Sequence, residues 1–526
     1  MRTGRAGAGW VWQTAPMLLL LACTSGKVAP DPVTDSVETE TLDGSDTGDP
    51  ETLPGGTCDP GADPVYVDEG EEASFVVGCT GGGSADSFSM PDLPPGATFD
   101  GRLFTWTPGL SDAGHLELVV DSSGEYSDAG VVDVWVADAW SDPDNVEVDP
   151  ATYEEELGLP VLHLEVPPDT NDTTDVATTL WYRGESYDIE LKYRGAASAY
   201  YPKRSYTVSF PSDHEFDDGD WDFENRRKIT VTSLFDDNSY LRQWLCYQLW
   251  SAADPKRHDV QSMFAVVYVN GAYVGLYVVT DHIDGEYWED HGYDEDGSLY
   301  KAVDHRANFY STYNGYAKSS WHDGYEKQEG DPEDFSDIDE LVQFVAESPD
   351  DTFSDGIASR VVVDEIADWW ILVRWTEADD SGGKNAYLYR DATTGLFHHA
   401  PWDFNHSLGQ TWQTEREGAD TNYDFYWSNN LFYRLIVDPV WGPVMADRMR
   451  EQLDGVYAPD AVLARIDDVQ DVIEPSAERD WEKWQDSYRS YGGWYWRTDW
   501  TTHDEEVAYL RAWVEARGGY MDTWFP

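Results

Sequence analysis

Two aspartates and an asparagine in one stretch of the chain have the residue types that metal-assisted phosphoryl transfer needs. Asp380 stands five positions before Asn385 in D-S-G-G-K-N, and Asp403 follows about one β-hairpin later in P-W-D-F-N. Carboxylate and amide oxygens are ligands that Mg²⁺ prefers, and an aspartate can orient or deprotonate a hydroxyl group. This spacing would allow Asp380 to face an acceptor hydroxyl. Asn385 and Asp403 would then hold Mg²⁺ against a triphosphate.

Each of these acids also has an ordinary structural interpretation. Asp380 precedes Gly382-Gly383 and could simply begin a turn. Asp403 is harder to explain in that way, because Trp402 and Phe404 surround it with apolar positions. A carboxylate buried there is costly unless it is paired or bound to a metal.

Three histidines near Asp403 offer zinc as an alternative metal. His398, His399 and His406 are close in sequence, but they lack the H-x-x-x-H spacing of a helical site. No cysteine accompanies them as a ligand. Mg²⁺ or Mn²⁺ therefore remains the favoured ion.

Length and charge restrict the class of protein. A chain of 526 residues predicts two or three domains, and 41% hydrophobic residues exclude a wholly disordered protein. The net charge of −68, from 34 basic and 102 acidic residues, excludes nucleic acid and anionic membrane surfaces as partners. A high-salt habitat and calcium binding are two explanations of this acidity, and the absence of a D-x-D-x-D-G loop favours the first.

The N-terminus predicts export. Arg2 and Arg5 precede an apolar run from Ala15 to Ala22, and Cys23 follows directly. This segment resembles a bacterial lipobox, which implies a signal peptide over residues 1–23 and a lipid on Cys23 that anchors the protein to the cell envelope, at the outer membrane or cell surface. An ordinary signal peptide with a chance cysteine is the alternative.

Two further segments precede the longest predicted domain. Residues 24–56 contain no aromatic residue and only one basic residue, Lys27, which predicts a disordered acidic linker. Residues 57–138 contain short apolar runs between turn residues, which predict a small β-sandwich. This part resembles the immunoglobulin- or cadherin-like modules of bacterial surface proteins, and we expect a disulfide between Cys58 and Cys79.

Residues 140–526 show strand patterns first and helix patterns later, which predicts an α+β fold with a sheet-rich and a helix-rich lobe. Asn270-Gly271 predicts a hairpin between two of the strands. We expect a helix from Ser336 to Glu347 with Ser336 and Asp339 as its capping box, and another from Val361 to Thr376. A last helix is expected between a Thr502–Glu505 cap and Arg517, ended by Gly518-Gly519.

The order of the motifs in this domain resembles the CotH kinase family, which comprises secreted or spore-coat proteins with an atypical protein-kinase-like fold. The motifs are, in order, Y-R-G-A-A-S at 193–198, P-K-R-S-Y at 202–206, L-F-D-D at 234–237, N-G-A-Y-V-G at 270–275, the stretch from Asp380 to Tyr389, and P-W-D-F-N-H-S-L-G at 401–409. Singly these motifs are weak, whereas together and in order they are specific.

The resemblance implies a role for several residues. Asp380 matches the catalytic aspartate, Asn385 and Asp403 match the metal ligands, and Lys203 matches the lysine that pairs with the phosphates of ATP. Arg194 is a second candidate ligand for phosphate. The alternative for Arg194 is a structural ion pair. The same two possibilities, a phosphate ligand or a structural ion pair, apply to Arg242.

The resemblance implies a lipid-anchored kinase that uses ATP with Mg²⁺ or Mn²⁺ to phosphorylate serine or threonine of exported proteins. Asn405 stands where the family commonly has a second aspartate, the helix around residues 238–250 has no glutamate, and no G-x-G-x-x-G loop is present. A non-catalytic coat or adhesion protein with a pseudokinase fold is therefore the alternative, and transfer of AMP is a third possibility.

Overall fold

The computed structural model describes residues 58–79, 85–124, 129–195, 198–294, 296–493 and 495–525. The predicted signal peptide, Cys23 and the acidic linker lie outside these residues. Within the described parts of the chain, no helix combines the length and the apolar character that crossing a membrane would need.

Strands and helices are mixed along the described chain, and the predicted α+β class is confirmed. The strands are β1 Pro60–Gly61, β2 Val65–Asp68, β3 Ala73–Val76, β4 Gly78–Cys79, β5 Ser87–Ser89, β6 Thr98–Phe99, β7 Leu103–Trp106, β8 Gly114–Ser123, β9 Ala129–Ala137, β10 Glu155–Glu156, β11 Leu159–Leu164, β12 Val176–Tyr182, β13 Glu185–Tyr193, β14 Tyr206–Ser209, β15 Phe216–Asp218, β16 Phe223–Arg226, β17 Lys228–Thr232, β18 Ser262–Val269, β19 Ala272–Asp281, β20 Ser298–Ala302, β21 Thr312–Tyr313, β22 Tyr316–Ala317, β23 Tyr325–Glu329, β24 Ala386–Arg390 and β25 Phe397–Pro401. The helices are α1 Arg242–Ala253, α2 Gly285–Asp290, α3 Ser336–Glu347, α4 Asp350–Gly356, α5 Val363–Thr376, α6 Asn430–Val437, α7 Trp441–Leu453, α8 Pro459–Ser490 and α9 His503–Trp524, with short 3-10 helices at Ser198–Tyr200 and Ile357–Ser359.

The described residues up to Ala137 form strands and no helix. Their sheets have the orders β2-β9-β8-β5, β3-β7-β6 and β1-β4. Phe75 and Phe104 stack with ring centroids 4.7 Å apart within the buried cluster of this region. The predicted disulfide between Cys58 and Cys79 is confirmed. The domain boundary at 138 and the immunoglobulin- or cadherin-like resemblance stay predictions.

Seven strands close into a ring in the order β11-β12-β13-β14-β17-β19-β18, because β18 pairs with β11 in parallel. Side chains alternate between two buried clusters along these strands, as the period of two requires. Leu162 and Val267 belong to one cluster, whereas Val161 and Val266 belong to the other, which also contains residues of the helices. The ring therefore has an apolar interior and an apolar outer face that the helices cover.

A second sheet has the order β23-β20-β24-β25, with all its strands antiparallel. Ala386 at the start of β24 pairs with Pro401 at the end of β25. This register brings the residues just before β24 and just after β25 to the same end of the hairpin.

The ends of two helices differ from the sequence prediction. Helix α3 spans Ser336–Glu347 as expected, but it has no side-chain cap; instead a carboxylate oxygen of Asp334 accepts the backbone N–H of Ser336 at 2.9 Å. The capping box of Thr502 and Glu505 is confirmed, yet α9 continues through Gly518-Gly519 to Trp524. A Cβ at position 518 would lie 2.2 Å from the Pro459 ring, so close helix packing explains that glycine.

Candidate active site

One end of the β24–β25 hairpin brings Asp380, Asn385 and Asp403 together. Asn385 immediately precedes β24, and Asp403 is the second residue after β25. Asn385 Nδ2 lies 3.3 Å from Asp380 Oδ2, and Ser381 Oγ donates to the backbone oxygen of Asp403 at 3.4 Å. Asn385 and Asp403 both have left-handed backbone conformations, with φ of 57° and 62°. Such conformations are uncommon outside glycine and are concentrated at functional sites.

The loop that carries Asp380 is fixed by close packing at two glycines. A Cβ on Gly383 would lie 2.3 Å from the backbone oxygen of Ser428, and one on Gly382 would lie 2.4 Å from the Phe425 ring. Asn429 Nδ2 also donates to the backbone oxygen of Gly382 at 2.9 Å. The glycines after Asp380 therefore hold the loop against the segment before α6, which is more than a simple turn requires.

The Asp380 carboxylate lies between two basic side chains. Lys384 Nζ is 2.7 Å from Oδ2, and His305 Nε2 is 3.2 Å from Oδ1. Burial acts to raise the pKa of Asp380, but the hydrogen bond from His305 and the charge of Lys384 outweigh it and hold this pKa below its usual value. Asp380 is therefore ionised at neutral pH and can accept a hydrogen bond from a hydroxyl group.

Asp403 differs from Asp380 because its carboxylate has no hydrogen bond or ion pair to any described residue. Asp403 is exposed to solvent, whereas its neighbours Trp402 and Phe404 are buried. Desolvation raises the pKa of Asp403, as do the charges of Asp236 and Asp380, while His406 and Arg194 oppose this rise. A carboxylate that no described residue holds in a hydrogen bond or ion pair is free to bind a metal cation.

Asp379 adds a further acid that the sequence analysis missed. Its Oδ1 is buried and has no hydrogen-bond partner among the described residues. Burial and the neighbouring charge of Asp380 raise the pKa of Asp379 to about 7. The excess of carboxylates around this loop supports the fit of a divalent cation.

Two cations beside Asp403 lack acidic partners among the described residues. The Arg194 guanidinium lies 4.8 Å from the centroid of the Trp402 ring, and Lys301 Nζ lies 5.5 Å from the same ring. Desolvation and the charge of Arg194 lower the pKa of Lys301 to about 8, against the opposing charges of Asp403 and Glu326. Lys301 was not identifiable from the sequence, because a lone lysine in a strand carries no distinguishing pattern.

Lys203 and Arg242 are fully buried in ion pairs. Lys203 Nζ donates to Asp480 and, at 2.6 Å, to the backbone oxygen of Leu276. Arg242 binds Asp237 and Glu506, so its structural interpretation is correct. Lys203 has no exposed surface, and its contacts do not join it to the group around Asp403.

Asn405 belongs to a network centred on Asp236. One carboxylate oxygen of Asp236, Oδ2, lies 2.7 Å from Asn405 Nδ2, 3.0 Å from His406 Nε2 and 2.9 Å from the Tyr201 hydroxyl. An aspartate at position 405 would place a second carboxylate against Asp236, whereas the Asn405 amide donates a hydrogen bond to it. Burial opposes protonation of His406, but its hydrogen bond to Asp236 and the nearby acids raise its pKa.

The three histidines considered for zinc do not converge. His398 pairs with Glu365 at 3.0 Å, His399 stacks on Trp369 with ring centroids 4.2 Å apart, and His406 pairs with Asp236. Successive residues of a strand point to opposite faces, which separates His398 from His399. A zinc site made of these three residues is therefore wrong.

Comparison with known proteins gives one family and one curated relative. Residues 191–521, more than half of the chain, match the family model described as CotH kinase protein. The inner spore coat protein H of Bacillus subtilis (strain 168) is 29% identical over 258 residues, which cover 49% of this chain and 68% of the relative.

Similarity to solved structures is weak. Two endo-fucoidan hydrolases of glycoside hydrolase family 107 align with 12% identity and a TM-score of 0.13 each. The alignments cover 29% and 32% of this chain and 32% and 27% of those enzymes. These values are too low to carry an argument about fold or function.

Proposed function

The chain belongs to the CotH kinase family, and from this premise we propose that it is an exported, ATP-dependent kinase that phosphorylates serine or threonine of exported proteins. The proposal includes a protein-kinase-like arrangement of a sheet-rich and a helix-rich lobe. One observation carries it: the convergence of Asp380, Asn385 and Asp403 at one hairpin end, beside the cations Arg194 and Lys301, which pair with no acid among the described residues.

In this proposal Asp380 orients the acceptor hydroxyl and accepts its proton. The lowered pKa of Asp380 keeps its carboxylate ionised for this purpose. Its contacts with His305 and Lys384 hold the carboxylate in place. Positioning and electrostatic stabilisation supply most of what phosphoryl transfer requires.

Asn385 and Asp403 would hold Mg²⁺ or Mn²⁺. When bound, such an ion neutralises phosphate oxygens and the charge that develops in phosphoryl transfer. Neither the Asp403 carboxylate nor Oδ1 of Asp379 has a hydrogen-bond partner in the described part of the chain, and both support a cation at this end of the hairpin. Among the residues that the structure describes, the donor set is made of hard oxygen atoms, which suits these ions.

Arg194 and Lys301 are the proposed ligands of the nucleotide phosphates. Both lie against Trp402, one residue before Asp403, and neither is held by an acid among the described residues. Lys203 takes a supporting role in this proposal, because it is enclosed with Asp480 and would keep β19 against α8. This assignment revises the role that the family resemblance implied for Lys203.

The proposed setting is the bacterial surface or a coat. The name of the Bacillus subtilis relative contains a spore-coat location, and the predicted lipid on Cys23 would tether this chain to the cell envelope. The strand-rich region before residue 138 would act as a spacer or adhesion module. Partners would then be exported proteins with accessible serine or threonine hydroxyls.

The experiment uses purified protein, Mg²⁺ or Mn²⁺, and ATP labelled on the γ- or the α-phosphate. Label from the γ-phosphate on serine or threonine is the expected result, with loss of labelling in Asp403→Ala. Asp447→Ala, an exposed acid on α7, is the matched control and should label normally. Label from the α-phosphate alone would indicate AMP transfer, and no binding at millimolar ATP would support the structural coat protein.

A further inference from the structure

A second group of buried ligands lies outside the proposed active site. Its members are His258, Glu365 and His398, and one potential ligand atom of each lies within 4.8 Å of the others. They come from three places in the fold: the segment before β18, helix α5 and strand β25. All three side chains are buried. The group thus joins parts of the chain that are far apart in sequence.

Tyr293 connects the two imidazoles. Its hydroxyl lies 2.8 Å from His258 Nε2 and 3.3 Å from His398 Nδ1, and His398 Nδ1 is 3.0 Å from Glu365 Oε1. None of these contacts involves Asp380, Asn385 or Asp403. This group therefore has no role in the proposed phosphoryl transfer.

The hydrogen bonds among these residues leave the group incomplete. His258 is 3% exposed, and its Nδ1 is buried without a hydrogen-bond partner among the described residues. Arg257 is committed to Asp368, with Nε at 2.7 Å from the carboxylate, and approaches Glu365 only to 4.0 Å. A carboxylate and two imidazoles thus share a buried site whose neighbouring guanidinium, that of Arg257, is held more closely by Asp368 than by Glu365.

The surroundings hold the three side chains in place. Glu365 Oε2 accepts the backbone N–H of His399 at 3.0 Å, and Trp250 Nε1 donates to the backbone oxygen of His258 at 3.0 Å.

We propose that His258, His398 and Glu365 bind one divalent transition-metal ion of the zinc class. Two imidazole nitrogens and one carboxylate oxygen form a donor set typical of Zn²⁺, whereas Mg²⁺ and Ca²⁺ prefer oxygen ligands alone. The Tyr293 hydroxyl or a water completes four ligands. The ion ties the start of β18, α5 and β25 together, so its role is structural and separate from phosphoryl transfer.

Metal content and thermal stability of the full chain test this proposal. Purified protein is stripped with a chelator, incubated with Zn²⁺ and measured for bound metal and melting temperature. We expect about one ion per chain and a raised melting temperature. The double variant His258→Gln, His398→Gln should lose both effects. His322→Gln, a half-exposed histidine that pairs with Asp339, is the control and should keep both.

Cobalt substitution of the unaltered protein keeps the test valid if the double variant does not fold. Stripped protein that is loaded with Co²⁺ should show the strong visible absorption of a four-coordinate ion with nitrogen ligands. Bound zinc below about a tenth of an ion per chain, with an unchanged melting temperature, would overturn the proposal. The group would then be a hydrogen-bonded network only, and neither outcome bears on the kinase activity.

Discussion

Two regions of the molecule differ in how completely their charges are paired: the buried charges beside α8 and α9, and the charges around Asp403. Glu506 in α9 binds the guanidinium groups of Arg242, Arg416 and Arg497. Around Asp403, by contrast, neither that carboxylate nor the guanidinium of Arg194 has a hydrogen-bonded or ion-paired partner among the described residues.

This difference distinguishes two groups of charges: a framework of paired, buried charges, and the charges of the candidate site that have no partner among the described residues. A buried charge is costly unless it is paired, so fully paired charges hold the chain together without needing a ligand. Unpaired charges remain able to bind a ligand of opposite sign. The chain has a net charge of −68, yet among the described residues no acid pairs with the two cations beside this group of oxygen ligands. For this reason we propose that an anionic ligand binds there together with a metal.

Replacing the Asp403 carboxylate should have the largest effect on activity and little effect on stability. We expect Asp403→Asn to lower phosphoryl transfer by about a thousandfold, because the variant loses the charge that holds the metal. Initial rates with labelled ATP and melting curves measure the two effects. A large fall in melting temperature would show instead that Asp403 stabilises the fold, which would contradict our distinction between the two groups of charges.

Breaking a framework pair should have the opposite effect. Lys203→Met leaves Asp480 buried without its cation, and we expect the free energy of unfolding to fall by about 3–5 kcal/mol. Urea denaturation measures this change. The double variant Lys203→Met, Asp480→Leu should recover part of the loss, since it removes both charges. An unchanged stability of the single variant would show that Lys203 is not structural.

The pH dependence of Mg-ATP binding tests the role of Lys301. The pKa of this lysine is lowered to about 8, and phosphate attracts only the protonated amine. Affinity for Mg-ATP should therefore be full below pH 8 and fall by about tenfold as the pH rises above it. Lys301→Met should lose this dependence, whereas Lys256→Met, an exposed lysine, should retain it. Equal pH profiles for all three proteins would remove Lys301 from the site.

The smallest expected effect concerns the pair of His406 and Asp236. The folded pKa of His406 is raised, so its contribution to stability is full below the unfolded pKa of about 6.5. That contribution is lost as the pH rises through the raised, folded pKa. We expect His406→Gln to remove about 1 kcal/mol of this pH dependence, measured by urea denaturation between pH 5 and 9. Parallel curves for the variant and the original protein would contradict the pairing.

The parts of the candidate site that depend on local spacing could be recognised in the sequence. Asp380, Asn385 and Asp403 were identifiable because a hairpin fixes their separation along the chain. The Thr502–Glu505 cap was predictable for the same reason, since a capping box spans four consecutive residues. Local patterns of this kind need no knowledge of the tertiary fold.

Features that depend on distant contacts were not predictable. Lys203 and Asp480 are 277 positions apart, so the sequence could not show that this lysine is enclosed by α8. Lys301 joins the site only because β20 pairs beside β24. The extension of α9 past Gly518 also follows from packing, because the glycine makes room for Pro459.

Calorimetric titration of two variants with Mg-ATP, each below its melting temperature, would show whether the nucleotide depends on the proposed site or on the buried ion pairs. Our account predicts that Arg194→Met binds at least about tenfold more weakly than the unaltered protein. Lys203→Met, although less stable, should bind with unchanged affinity. The reverse result, with weak binding by Lys203→Met and normal binding by Arg194→Met, would contradict the division between framework and site.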